Sequence, residues 1–177
     1  MFKFKPMTYE HLPLVLKWRT SDDVNKVMLT DVENNIELQQ AWFEKTQDDA
    51  TTVYWIIEYN DVPIGVLNQC EISWTHERCS WGFYIGEDHY KYLGGLIPPY
   101  FYNYVFTHTS LRKIVAEVMS NNEKVMKLHR LHGYRDVGVY QSHINKNGNW
   151  LDLHLFELHK EQWQKKRRFA SFSAEFG

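Results

Sequence analysis

The stretch Glu117-Val-Met-Ser-Asn-Asn-Glu-Lys-Val-Met-Lys-Leu-His-Arg-Leu-His-Gly-Tyr134 changes period half-way along. Up to Met119 it is the end of an apolar, β-branched run from Lys113, the pattern of a buried strand. Asn121-Asn122 then offers side-chain oxygens to cap a helix, along which Val125, Leu128 and Leu131 recur at helical spacing. Gly133 closes that helix, where a residue without Cβ tolerates the left-handed turn. The segment is therefore a strand running directly into a capped, amphipathic helix.

Upstream, Cys79–Ile85 reads as another strand, and the pair Gly94-Gly95 opens a helix over about Leu96–His108. Pro98 and Pro99 are tolerated only in the first turn of that helix. A strand, a glycine pair and a helix start expose backbone N–H groups and the positive end of a helix dipole, which suits a phosphate, although the same pattern also makes a plain turn. Downstream, Tyr134–His143 and Trp150–His159 form a hairpin around Asn147-Gly148. Towards the N-terminus, Phe2 and Phe4 alternate with lysines as a strand, and Thr8 caps a helix carrying Leu12, Leu16 and Trp18. Ser21 caps a short helix with Val24, Val27 and Met28, and a third helix runs from Ile36 to Gln47 with Leu38, Ala41, Trp42 and Phe43 inward. Thr52–Tyr59 and Val62–Ile72 are strands joined at Asn60-Asp61. The fold class expected is mixed α/β (α+β), in one domain over residues 1–163 with a tail at 164–177.

With 177 residues, 44% hydrophobic and 24% charged, the chain has enough apolar surface for one core and is not disordered. A net charge of −2 lacks the basic footprint of a nucleic-acid binder, so no nucleic-acid partner is expected. Cys70 and Cys79 match no metal or redox spacing; they read as small buried hydrophobes, and no metal is expected. No apolar run is long enough to span a bilayer and no signal-peptide core follows Met1, so the expectation is a soluble, cytoplasmic protein without a membrane partner. The aromatic share is 16%, from 7 Trp, 11 Tyr and 10 Phe, which points to a pocket or partner surface lined with rings. Part of that share, Trp18, Trp74 and the rings from Tyr90 to Phe106, reads as a ligand surface. The tail joins Lys165-Lys166-Arg167-Arg168 to Phe169, Phe172 and Phe176, which suggests docking on a partner subunit in a homodimer.

These motifs resemble the GNAT superfamily of N-acetyltransferases. The quoted segment is similar to that family's Asn-Glu-x-Ala…Tyr/His…Leu-Gly-Phe region, and further pieces match in order over about residues 3–163. They are Leu16-Lys-Trp-Arg19, Trp42-Phe-Glu-Lys45, Tyr54-Trp-Ile-Ile-Glu58 with Pro63-Ile-Gly-Val66, Trp81-Gly-Phe-Tyr-Ile-Gly86, and Asn147-Gly-x-Trp-x-Asp-x-x-Leu-Phe156. Within the superfamily they look most like the acetyltransferases of the pseudaminic-acid pathway, which acetylate the 4-amino group of a UDP-linked 4-amino-4,6-dideoxy sugar. The resemblance implies a mostly antiparallel central sheet with helices on both faces, acetyl-CoA as cosubstrate, and direct transfer in a ternary complex. It departs at the phosphate loop, where Tyr90-Lys-Tyr-Leu-Gly-Gly95 replaces a run with more glycines; Lys91 supplies a point charge instead.

By that resemblance Glu117 is the base that takes the amine proton, directly or through a water. His129 stands where the family has a tyrosine that protonates the leaving thiolate. An imidazolium with a reference pKa near ~6.5 can donate to a thiolate of ~8.5. Phe83, Tyr84 and Ile85 supply backbone groups to the pantetheine arm, Lys91, Leu93, Gly94 and Gly95 face the pyrophosphate, and Asn122 both caps its helix and contacts pantetheine. Arg19 is a candidate for a diphosphate, and Met28 and Trp74 for the sugar or the base of the acceptor. A protein N-terminus or a polyamine is an alternative acceptor, the latter suited to Asp22, Asp23, Asp31, Glu33 and Glu37. A CoA-binding domain without catalysis is a third reading, favoured by the altered loop.

Overall fold

In a computed structural model, which describes residues 1–177, eight strands form one sheet in the order β6-β7-β5-β4-β3-β2-β1-β8. The strands are β1 (Phe2–Pro6), β2 (Val53–Tyr59), β3 (Val62–Ser73), β4 (Arg78–Ile85), β5 (Lys113–Met119), β6 (Arg135–Lys146), β7 (Asn149–His159) and β8 (Glu175–Phe176). The helices are α1 (Leu12–Arg19), α2 (Asp22–Asn25), α3 (Ile36–Gln47), α4 (Ile97–His108), α5 (Glu123–His132) and α6 (Lys160–Gln164). Mixed α/β with a mostly antiparallel sheet and helices on both faces is the architecture the sequence implies.

The break in antiparallel order positions the site. β4 and β5 run parallel, and they pair only at Arg78–Lys113, Cys79–Ile114 and Ser80–Val115. Beyond Ser80 and Val115 the two strands separate, so Trp81–Ile85 and Ala116–Met119 flank an open wedge. β5 is held on its other side by β7 along its whole length, and β4 by β3, so the wedge is rigid.

One face of the sheet carries the larger core. There Trp81 stacks on Phe83 and Phe101, Tyr102 meets Trp163 edge-on, and Ile114, Ala116 and Val118 are buried beneath α4 and α5. The opposite face is covered more narrowly: α1 and α3 pack Leu12, Val15, Trp18 and Phe43 over Ile56, Val66 and Tyr84. Trp18 reaches that position because Gly86 has no side chain; a Cβ there would lie 2.1 Å from the indole. Trp18 is buried and its Nε1 donates to Glu87 Oε1 (2.8 Å), so it is core and not the ligand surface expected of it.

Several helix faces are rotated from the expected ones. Leu38 and Leu131 are exposed, while Gln39, Met126, His129 and His132 turn inward. The tail folds back onto its own chain: Asn103 Nδ2 donates to the carbonyls of Phe169 and Phe172, Phe176 stacks on Phe4 and Tyr104, and β8 pairs with β1. Those phenylalanines therefore help complete the domain.

Candidate active site

The hydrogen-bond alternation of β4 decides which of its groups face the wedge. Gly86 N–H donates to Ile64 O, and Gly65 stands opposite Ile85. In an antiparallel ladder this phase ties the backbone of Tyr84 and Gly82 to β3 and turns the N–H and C=O of Phe83 and Ile85 towards the open wedge. Two of the three expected backbone contacts thus point the right way. Tyr84 is the correction: its backbone is engaged with β3, and its side chain lies on the opposite face.

Gly94 and Gly95 lie in a 3-10 stretch, Asp88–Leu96, ahead of α4. A Cβ on Gly94 would only touch Ile85 and Phe83 at 3.8 and 3.9 Å, and one on Gly95 would meet nothing, so packing does not demand glycine and the space beside them is open. Leu93 is buried against the core. The start of α4 is a poorer phosphate cradle than its position suggests. Pro98 and Pro99 have no N–H, and Ile97 N–H donates to Gly94 O. Lys91 is already paired with Asp23 and Asp88, each at 2.6 Å, so an incoming phosphate competes with two carboxylates. Those contacts hold Asp23 down to about 2, chiefly through its bonds to Lys26 and Lys91. Asn122 begins α5 without a side-chain cap bond, contrary to the expected cap, which leaves its amide free; the neighbouring Asn121 donates to Lys26 O at 3.3 Å.

On the face of Tyr84 the register aligns Tyr54, Asn68 and Gly82, then Cys70 and Ser80, then Val115 and Glu117. The helices do not reach this far, and the row floors a polar trough. Glu117 reaches solvent and makes no ion pair. Partial burial and the nearby Glu71 raise its pKa above the ordinary carboxylate value, while His143 of β6 opposes the shift. Cys70 lies on the same floor, and burial pushes its thiol up to about 11, which removes it as a nucleophile. Glu71 sits at a bulge of β3 with φ 50°, a conformation that non-glycine residues seldom adopt.

Arg19 closes the trough at the α1 end. It is buried rather than an exposed helix-end charge, and its Nη2 donates to Thr30 O (3.0 Å) and Oγ1 (3.3 Å). Nη1 has no partner and no carboxylate forms an ion pair with the guanidinium. Burial lowers its pKa, with Tyr84, Asp31 and Tyr54 partly compensating. The guanidinium thus holds the loop at Thr30 and keeps its positive charge without an ion-pair partner of its own. Met28 is half-buried against the smaller core and Trp74, 56% exposed, stands in the β3–β4 turn.

His129 requires the second correction. It is 4% exposed, stacked on Tyr134 (4.5 Å between ring centres, 27°), with Trp81 and Phe156 around it and no partner for Nδ1. Burial, followed by the neighbouring His132, lowers its pKa to about 3. An imidazolium donor is therefore not populated at neutral pH; the ring is a neutral member of the aromatic core. His132 is likewise buried, meeting Trp163 and Phe169 edge-on.

Residues 8–155 match the profile of the family described as "Acetyltransferase (GNAT) domain". The chain belongs to the GNAT acetyltransferase family. Two curated relatives called "Acetyltransferase PseH", both from Campylobacter jejuni, are 25% and 24% identical over 130 and 129 residues, each covering 72% of this chain and 78% of the relative. Among solved structures, spermidine N-acetyltransferase from Vibrio cholerae in complex with CoA and spermine aligns with a TM-score of 0.85 at 16% identity, over 92% of this chain and 98% of that one. A dodecameric form of the Vibrio cholerae enzyme aligns at 0.79 over 93% and 97%. At that identity the structural likeness speaks for the fold.

Membership makes the protein an acetyl-CoA-dependent N-acetyltransferase. The wedge fits that cosubstrate: Phe83 and Ile85 present unpaired backbone groups along it, and no Cβ fills the space beside Gly94 and Gly95. No helix is long and apolar enough to cross a membrane, and no cluster of three or more His, Cys, Asp or Glu stands ready to hold a metal. Glu71, His143 and Lys146, which lie near this row, carry no motif in the sequence; only the break of alternation after Cys70 hints at the bulge.

Proposed function

We propose that this enzyme acetylates the 4-amino group of a UDP-linked 4-amino-4,6-dideoxy sugar, in the cytoplasm where acetyl-CoA is available. The reading is supported by the motifs shared with the pseudaminic-acid-pathway enzymes and by the PseH relatives. The observation that carries it is the buried, unneutralised Arg19 guanidinium at one end of the trough. Such a field favours an acceptor bearing a diphosphate and opposes a polycation. The acidic residues that would suit a polyamine are partly committed elsewhere. Asp23 is bound by Lys26 and Lys91, and Asp31 by Lys146 and Asn25.

In this reading the acceptor's amine lies over Glu117, whose raised pKa makes it a better base than an ordinary carboxylate. Acetyl-CoA supplies the acyl group from the wedge, with the free N–H groups of Phe83 and Ile85 as donors for its carbonyls. Lys91, released from Asp23, and the open space at Gly94-Gly95 receive the pyrophosphate, and the Asn122 amide meets the pantetheine arm. Met28 and Trp74 offer surface to the deoxy sugar or the uracil. His129 supports the adjoining core as a neutral ring and supplies no imidazolium.

Incubation of the protein with acetyl-CoA and a panel of UDP-4-amino sugars, read by mass spectrometry, is expected to show gain of one acetyl group on a 4-amino-4,6-dideoxy member. Release of free thiol with spermidine but with no sugar would replace this reading by the polyamine one. Binding of acetyl-CoA by titration calorimetry without turnover of any amine would leave a CoA-binding domain.

A further inference from the structure

Ten residues, Lys26 to Asn35, separate α2 from α3, and they include Met28 and Thr30. A connection of this length without regular structure has many conformations open to it unless side chains hold it. Here it is held from three directions. Arg19 binds Thr30 from beneath, Asn121 at the start of α5 donates to Lys26 O, and Lys146 reaches Asp31 Oδ1 at 2.5 Å.

The last contact joins residues 115 apart in sequence. Lys146 is the final residue of β6, beside the Asn147-Gly148 turn, and is 8% exposed although it carries a charge. A buried lysine is rare unless it is paired. Asp31, its only ion-pair partner, is more exposed and is also bound by Asn25 Nδ2 at 3.0 Å. β6 bends on its way to this contact. Its pairing with β7 slips between Tyr140 and Ile144, where Ser142 has φ 47° and its N–H donates to Asp152 Oδ1 at 2.8 Å. Such a bulge adds twist and re-aims the end of a strand.

Two contacts link these parts in space, Arg19 with Thr30 and the neighbouring Asp31 with Lys146 at the end of β6. Charges are felt across the remaining gaps: His143 of β6 acts on Glu117, Glu117 on Cys70, and Arg19 on Tyr54. The α2–α3 loop and the β6–β7 hairpin thus meet through Asp31 and Lys146.

We propose that Lys146 is a positioning residue, which through Asp31 fixes the α2–α3 loop as one wall of the acceptor site. The inference rests on the trough being the acceptor site, but not on which amine enters it. Without the tether, the loop keeps Arg19 and Asn121 as anchors and loses its far support. Acceptor binding weakens, while the wedge, built by β4, β5 and the turn before α4, is untouched.

The test compares Lys146→Met and Asp31→Asn with the wild-type chain. Hydrogen exchange without ligands is expected to speed up about tenfold for amides of residues 27–35 and to stay unchanged in β4 and β5, as loss of one charge-assisted bond implies. The acceptor KM is expected to rise about tenfold, with kcat and the acetyl-CoA KM held within about twofold and with Lys146→Arg restoring the wild-type value. Asp31 lies at the surface, so Asp31→Asn decides the matter if Lys146→Met does not fold. Unchanged exchange in both variants overturns the inference. So does faster exchange with an unmoved acceptor KM. The KM is measured with the UDP-amino sugar, or with spermidine if the wild-type enzyme acetylates only the latter. That second case defeats the proposed acceptor and still tests the tether.

Discussion

On one face of the sheet, Trp81, Phe101, Tyr102, Tyr134 and Trp163 fill the space between the strands and α4, α5 and the tail. On the other, α1 and α3 stop at Tyr84, and Asn68, Cys70, Gly82 and Glu117 lie beyond their cover. The excess of rings in this chain has therefore gone mainly into one dense core and into packing the tail, with its strand β8, against β1 and α4. The thinner face carries the Arg19 Nη1, the Tyr84 hydroxyl and the exposed Glu117 carboxylate without partners. The unpartnered groups of the packed face, the Tyr102 hydroxyl and the Nδ1 atoms of His129 and His132, are instead sealed among rings. A face packed with rings gives rigidity to the wedge, and the face left open is where charge is available to a substrate.

The contrast is broken most forcefully by acid. His129 and His132 are held at about 3 and about 4 by burial, below the ~6.5 of an unfolded histidine. The unfolded chain binds more protons than the folded one between those values, so stability is full above about pH 6.5 and falls as pH is lowered. Each ring contributes up to about 1.4 kcal/mol per pH unit over its window. Unfolding by urea at pH 7 and pH 5 is expected to show the loss, and His129→Phe to flatten part of it. Next in size, Phe101→Ala opens a cavity under Trp81 and is expected to cost about 3–5 kcal/mol while leaving the acceptor KM in place.

On the open face the order of effects is reversed. Arg19→Met removes the support of Thr30 and the positive field, and should raise the acceptor KM about tenfold while changing stability by no more than about 1 kcal/mol. A large loss of stability with an unmoved KM would reassign Arg19 to the core. The smallest effect on the acceptor KM is expected of Trp163→Phe, back on the packed face. It deletes the bond from Trp163 Nε1 to Asn103 Oδ1 (2.7 Å) and leaves a smaller ring in the core, at a cost of about 1–3 kcal/mol, and exposes the tail near Arg167 to limited proteolysis.

The strands, α3, α4, α5 and the final hairpin are legible in the sequence because apolar spacing, Asn147-Gly148 and Gly133 are local signals. Leu38 and Leu131 misled because helical spacing gives a stripe but not the direction from which the sheet approaches it. Glu117 is a candidate by its place in the family-like motif, and Arg19 by its charge at the end of the first helix. Their surroundings are not legible there, since Glu71, His143 and Asp31 reach the trough from β3, β6 and a loop far apart in the chain. The state of His129 also depends on tertiary packing: only the closure of Trp81, Tyr134 and Phe156 around it decides that the ring stays neutral. Likewise the phase of β4, which turns Phe83 and Ile85 but not Tyr84 to the wedge, is set by pairing with β3.

The measurement closest to the central claim is the pH dependence of kcat for acetyl transfer, in the wild type and in Glu117→Gln. The wild-type rate should climb through the raised pKa of Glu117 and then level off. Glu117→Gln should lose about 10²-fold at pH 7, and its remaining rate should rise without a plateau towards the amine's own pKa. A variant with the wild-type profile and a kcat within about twofold would contradict the account, and would mean that the open face does not supply the base.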